Sequence, residues 1–234
     1  MEKKYELIES ELVTPRGKPL FQVKALRDFG VVEEGELGGF IESESNLSHD
    51  GNCWIYEDGQ VYEDGQVYGN GQVFGGGRVY GNGQVFGSGR VSGNARVYGN
   101  GQVFGYGLVG ENGLVYDNGK VLENGQVFGS GKVYGSGRVS GKKGRVVGSG
   151  RVIGNDWTST AFHITGSRDT ISLSSYTTLT IGFSTKTFKD WEETFEQLGK
   201  EYKYTTEELQ EYGELIKFAI AHAPRVIERN KAKV

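Results

Sequence analysis

Gly65-Gln66-Val67-Tyr68-Gly69-Asn70, Gly71-Gln72-Val73-Phe74-Gly75-Gly76 and Gly77-Arg78-Val79-Tyr80-Gly81-Asn82 are three consecutive readings of one six-residue phrase. The phrase runs from Ile55 to Val139 without a slip: fifteen valines or isoleucines at six-residue spacing, each with Gly, Ala or Cys two places before it. One such unit has too few apolar atoms to close a core, so each must bury its valine against the next unit along an axis. The period predicts a solenoid.

With each Val or Ile taken as position i, an extended strand points i−2 and i to one side and i−1 and i+1 to the other. The valine and the small residue before it are expected to face a narrow interior. The Gln, Arg or Lys at i−1 and the aromatic at i+1 are expected to face outward. Gly-Asn or Gly-Ser at i+2 and i+3 supply corners, where positive φ is tolerated. Taking every third i+1 position gives Tyr62, Tyr80, Tyr98, Tyr116 and Tyr134, an unbroken column at a spacing of eighteen. Three hexads then make one coil, and the fold class is an all-β solenoid, a triangular parallel β-helix with 18 residues per coil. Five coils over 55–139 would rise about 24 Å at ~4.8 Å each. The second face carries Tyr68, Phe86, Phe104, Leu122 and Ser140, and the third Tyr56, Phe74, Ser92, Gly110 and Phe128. After Val139 the next valine, Val146, stands seven residues on, which predicts a bulged corner.

Outside the repeat the phrase changes. Residues 1–50 read as an N-terminal β cap, with a strand over Pro19 to Leu26 and a turn and strand over Gly35 to Ile41, because an open coil would expose strand edges. The β-helix is expected over 51–182, ending in strand-like segments at Ala161 to Thr165, Thr170 to Leu173 and Thr178 to Ile181. A C-terminal two-helix module is expected over 183–234. Thr187 with Asp190 and Thr205 with Glu208 are capping boxes. Phe188, Trp191, Phe195 and Leu198 stripe the first helix. Leu209, Tyr212, Ile216, Ala219, Ile220 and Ala223 stripe the second, which is expected to stop at Pro224, with a frayed tail from Glu228 to Val234.

Composition narrows function by exclusion. Gly 39 with Pro 3 lacks the collagen period, and 12% aromatics in strict register argue against disorder. The net charge is −4, with 6 basic and 11 acidic groups in residues 1–54, 10 and 7 in 55–153, and 10 and 12 in 154–234. No strongly basic stripe marks a nucleic-acid partner. A modest basic cluster, Arg138, Lys142, Lys143, Arg145 and Arg151, reads as a solvated end of the solenoid. One cysteine, Cys53, forbids an internal disulfide. The N-terminus has no leader-like apolar run and no stretch is long enough to span a bilayer, so a cytoplasmic protein is expected. Asn46-Leu47-Ser48 matches the glycosylation pattern by chance on this reading.

Asp28-Phe29-Gly30, the segment Gly35 to Ile41, Asn46-Leu47-Ser48, Gly51-Asn52-Cys53-Trp54-Ile55 and the ending Ile164-Thr165-Gly166, Leu179-Thr180-Ile181-Gly182 and Trp191 resemble the YdcK-like hexapeptide-repeat proteins of phages and prophages. The resemblance implies a left-handed coil and a phage or prophage accessory protein, and brings no established activity. In that family a Cys and a His often follow the final Ile-Gly. Here Phe183 and Lys186 stand there, so no chemistry of that pair carries over.

Hexapeptide β-helices are often acyltransferases with a histidine base and an acyl-CoA groove. The base must reach the acceptor hydroxyl, and only His49, His163 and His222 exist, with no loop leaving the coils over 55–139. A zinc site needs several histidines on neighbouring coils, and that spacing is absent. The Gly-x-Gly phrases precede no helix, so glycine reads as corner and core filler rather than as a phosphate cradle. Glu57-Asp58 and Glu63-Asp64 read as solvated corners. No catalytic residue, metal or cofactor is expected.

The outward aromatics remain. The tyrosine column can stack within its sheet, or bind glycan or unpaired bases by stacking. Tyr68, Phe86, Phe104 and Leu122 make an apolar stripe that normally has a partner: the C-terminal helices, a second copy or a foreign protein. The function expected is non-catalytic binding of a host or phage protein, inhibiting a host defence or metabolic factor, with self-association as a dimer or trimer. An acyltransferase and a self-assembling structural solenoid are the alternatives.

Overall fold

The two-residue rungs that each hexad forms pair in parallel with the rung eighteen residues away: Val67 with Val85, Val73 with Val91, Val79 with Val97. This computed structural model describes residues 2–141, 144–147, 150–153, 156–157 and 162–231. Rungs stack into three sheets, one per face, and give a parallel β-solenoid of about six coils. Every repeat valine from Val61 to Val152 is buried, forming one continuous column of core along the axis. The backbone is satisfied coil to coil, as in Gln84 N–H to Gly101 O at 2.9 Å and Phe86 N–H to Val103 O at 3.0 Å.

The small residue at i−2 answers to backbone more than to interior width. A Cβ on Gly89 would stand 2.4 Å from the Val103 carbonyl oxygen, and one on Gly101 2.5 Å from that of Val115. At the corner that leads into the tyrosine face the nearest atoms are farther, 3.0 Å at Gly77, and there Ala95 replaces glycine one coil above.

At the N-terminus two strands, β1 (Tyr5–Val13) and β2 (Pro19–Ala25), form an antiparallel hairpin, and β2 pairs antiparallel with β3 (Leu37–Ile41). β3 is also the first rung of the tyrosine face, because Phe40 and Ile41 pair in parallel with Gln60 and Val61. Ile41, Leu47 and Ile55 thus form a first coil of irregular spacing, and coiling starts before the regular phrase does. Asn46 is buried within it, donating to the carbonyls of Glu63 and Gly65 at 2.9 Å each, so it is no glycan acceptor as folded.

The seven-residue slip is taken up within one coil. Val127 pairs with Val146 and Val133 with Val152, nineteen apart, and Val139 then pairs with Trp157, eighteen apart. A hexad one residue short, from Val152 to Trp157, cancels the one that is long. Of the bulged corner, Gly141 and Gly144 are joined by a backbone hydrogen bond, while Lys142 and Lys143 lie outside the described residues.

Beyond the coils comes an antiparallel meander of β4 (His163–Thr165), β5 (Thr170–Leu173), β6 (Thr178–Ile181) and β7 (Ser184–Thr187). It joins the solenoid through Ile153 N–H to Ser174 O at 2.9 Å. Two helices, α1 (Phe188–Glu201) and α2 (Thr206–Lys231), pack on it. Both capping boxes form as expected. Trp191 Nε1 donates to Leu179 O at 2.8 Å, and buried Tyr212 holds the β4–β5 turn through Arg168 N–H and Asp169 O. The second helix does not stop at Pro224 but runs to Lys231. A proline inside a helix removes one hydrogen bond, and the buried Ala219 and Ala223 beside it hold this segment in place. Residues 232–234 of the expected tail lie outside the described residues.

Candidate functional site

Each strand of the regular coils turns two columns, i−1 and i+1, away from the valine core, so the faces are ladders of like residues. On the tyrosine face Tyr62, Tyr80, Tyr98, Tyr116 and Tyr134 stack ring on ring, with centroids 4.8–5.1 Å apart and planes within 2–4°. Such stacking uses the ring faces on each other, and Tyr62, at the capped end, is itself buried. Bases or sugars have no free ring face along the interior of the ladder. Burial raises the phenol pKa of Tyr62, Tyr98 and Tyr116, aided in each by a neighbouring tyrosine, so these groups stay protonated donors.

Beside the tyrosines the i−1 column reads Gln60, Arg78, Arg96, Leu114, Lys132 and Arg151. Arg78 lies in register with Arg96, and Lys132 with Arg151. Burial, then Arg151, lowers the pKa of Lys132. Arg78, Arg96 and Lys132 make no ion pair with the described residues. Arg151 donates to Gly182 O and sits 5.8 Å from the Phe183 ring.

On the second face Tyr68, Phe86 and Phe104 stack at 4.8 Å with planes 3° apart, followed by buried Leu122. Their i−1 column is Gln66, Gln84, Gln102, Lys120 and Arg138, where Gln102 Nε2 donates to Gln84 Oε1 at 2.9 Å. The C-terminal helices pack chiefly on their own sheet, β5 to β7, and on each other. On the third face Tyr56 stacks on Phe74 at 4.6 Å. The predicted basic cluster is not one patch: the described Arg138, Arg145 and Arg151 stand on three different sheets.

The corner acids Glu57, Asp58, Asp64 and Glu111 are exposed, as their sequence suggests, and Glu63 is half-buried, yet three of the glutamates also bond the next coil. Glu57, Glu63 and Glu111 hold positive φ of 53–55° and accept the backbone N–H of Gly75, Gly81 and Gly129 at 2.7–2.9 Å, one coil on. Glycine at the same corner position takes positive φ without strain; a glutamate accepts the strain and stitches two coils. Asn82, Asn100 and Asn118 form a second ladder, with side-chain bonds of 3.2 and 3.3 Å.

The three histidines lie on separate elements. His49 stacks on Tyr5 at 4.2 Å, and its Nδ1 accepts the Lys4 backbone N–H at 3.1 Å. The ring proton of neutral His49 therefore sits on Nε2, which has no lone pair left for a general base. Burial lowers its pKa, against the pull of Glu44. His163 lies on β4, and His222 on α2 donates Nδ1–H to Phe218 O at 2.9 Å. Among the described residues no group of three or more His, Cys, Asp or Glu could hold a metal ion. Among the described residues no helix is long and apolar enough to cross a membrane.

Sequence reasoning missed two features. One is a cavity of about 370 Å³ in the C-terminal module, lined by Trp191, Phe195, Leu198 and Tyr204, with exposed Phe183 at its edge. Its polar groups are committed elsewhere: Arg168 donates to the carbonyls of Tyr202 and Lys203 at 3.0 and 3.1 Å, and Asp169 holds the Tyr204 hydroxyl. The other is a buried amine, Lys4 Nζ, in the N-terminal cap, 3.2 Å from Cys53 Sγ. A lone lysine near the N-terminus gives no sequence signal of burial.

The coil size, inward valines and rung ladders define a hexapeptide-repeat β-solenoid protein. No model of a known protein family matches the chain. A curated relative, the uncharacterized acetyltransferase YdcK of Escherichia coli (strain K12), is 35% identical over 66 residues. The match covers 25% of this chain and only 20% of that relative's length.

Proposed function

We propose that the chain is a non-catalytic binding scaffold that offers its tyrosine face to an acidic patch on a protein partner. The observation that carries this reading is the separation of charge on the coils. Over 55–153 the seven acids all stand at corners, whereas eight of the ten bases stand on the strands, four of them on the tyrosine face. Like charges in register on adjacent strands oppose folding, and an acidic partner would offset that repulsion. The same rows disfavour pairing two tyrosine faces. Self-association as a dimer or trimer is better served by the uncharged Gln84, Phe86, Gln102 and Phe104 of the second face. A partner of this kind suits a phage or prophage accessory protein that masks a host defence or metabolic factor in the cytoplasm, the role that the family resemblance implies.

Capture from a bacterial lysate by the wild type and by Arg78→Glu/Arg96→Glu tests the proposal. Binding that is lost on charge reversal and weakened by salt supports it. Binding indifferent to both sinks it.

A second reading, an acyltransferase using acyl-CoA, is favoured by the partial match to a protein named an acetyltransferase. Thiol release from acetyl-CoA by this chain, abolished in His163→Ala, would replace the first reading with this one.

A further inference from the structure

Among the described residues Lys4 is the one fully buried lysine. Lysine is almost never fully buried unless paired with an acid, yet no ion-pair partner of Lys4 is found among the described residues. Its Nζ donates to Cys53 O at 2.9 Å and reaches Gly51 O at 3.4 Å, lies 4.9 Å above the Phe29 ring, and contacts Cys53 Sγ at 3.2 Å. The sulfur is itself fully buried and makes two long contacts, with the Ser48 and Asp50 carbonyls at 3.4 and 3.5 Å. An amine and a thiol, both nucleophiles, are thus held within hydrogen-bond distance, the amine just ahead of β1 and the thiol in the first coil.

We propose that Lys4 Nζ and Cys53 Sγ form an oxidant-dependent covalent cross-link, a sulfenamide, that ties β1 to the first coil. The oxidant is a small peroxide, with hydrogen peroxide as the simplest case. In the first step the Cys53 sulfur attacks one peroxide oxygen; an S–O bond forms, the O–O bond breaks, and one water leaves, turning thiol into sulfenic acid. Sulfur loses two electrons and the peroxide gains them. In the second step the amine lone pair attacks that sulfur; an S–N bond forms, the S–O bond breaks, and the departing hydroxide takes an amine proton and leaves as a second water. The sum is thiol plus amine plus hydrogen peroxide giving sulfenamide plus two waters. Capture of a sulfenic acid by a neighbouring nitrogen is the reversible branch of cysteine oxidation, which a thiol reductant undoes.

Two features favour this pair. Burial lowers the Lys4 pKa, raising the fraction of neutral, nucleophilic amine, and although burial raises the thiol's own pKa, the charge and hydrogen bond of Lys4 oppose that rise. An open groove lined by Glu44, Leu47, Ser48 and His49 lies beside the pair, for the Ser48 carbonyl that accepts from the sulfur at 3.4 Å belongs to a lining residue.

The test is the intact mass of the full native chain after hydrogen peroxide treatment. A loss of about 2 Da, reversed by dithiothreitol and located by fragmentation to Lys4 and Cys53, is expected. It should be absent in Cys53→Ala, which keeps the Cβ and removes only sulfur, in Lys4→Met, and in chain oxidised in urea. Should Lys4→Met fail to fold, the fragment masses of the wild type carry the test alone. The proposal is overturned by sulfinic or sulfonic acid on Cys53 with Lys4 free. It is equally overturned by a doubled mass from an intermolecular disulfide, or by a native thiol that survives a dose oxidising the unfolded chain.

Discussion

At Gly89 a methyl group would lie 2.4 Å from the Val103 carbonyl oxygen, while at Gly77 the nearest atom, the Phe74 carbonyl oxygen, is 3.0 Å away. The first contact cannot be relieved by turning a side chain, because the atom struck is backbone in the next coil. Gly89→Ala should therefore destabilise by about 1–3 kcal/mol, the usual range for overpacking. Gly77→Ala should change stability by less than about 1 kcal/mol, as Ala95 at the equivalent corner already shows to be tolerated. Denaturant midpoints of the two variants give the comparison, and equal losses would refute the distinction between corners.

A tyrosine column at eighteen-residue spacing is legible in the sequence because i+1 positions can be sorted by arithmetic. Its stacking is a property of the element, and it makes alkali the informative perturbant. Burial raises the folded pKa of Tyr62, Tyr98 and Tyr116 above the unfolded value of about 10. A raised folded pKa means that these groups' contribution to stability is complete below about pH 10 and is lost as pH climbs through the folded value. Tyrosinate absorbance should lag that of free tyrosine and then rise together with loss of β-structure. Early, independent titration of the whole set would contradict the ladder. The remaining elements were harder to read for physical reasons. Ile41, Leu47 and Ile55 are six and eight residues apart, so the first coil breaks the period that reveals the others. β1 is rich in glutamate and gains its order from pairing with β2. β7, Ser-Thr-Lys-Thr, has no apolar alternation and exists because it pairs along β6. The basic cluster looked contiguous only along the chain; three faces separate its described members, Arg138, Arg145 and Arg151, in space.

For the whole molecule, the ends decide whether it stays finite. β1 and β2 close one end of the coil stack, and the β4 to β7 meander with its two helices follows the other. A chain ending after residue 157 would expose rung edges and core at that terminus. Its light scattering should grow with concentration beyond that of the full chain, and elongated particles should appear. Scattering equal to that of the full chain would argue that the meander is no cap.

The paired long and short hexads around Val146 and Trp157 have a geometric consequence. Because each hexad advances the chain by one face, residue count acts as an angular coordinate, and the two terminal modules have an azimuth set by the number of corners between them. Removing eighteen residues from the regular coils would shorten the axis by one level and leave both modules in phase. Removing six would turn the C-terminal module by a third of a revolution, placing Arg151 and the Phe183 edge over a different ladder. The one extra residue before Val146, by contrast, is offset by the short hexad before Trp157, so it is taken up locally and leaves the faces in phase.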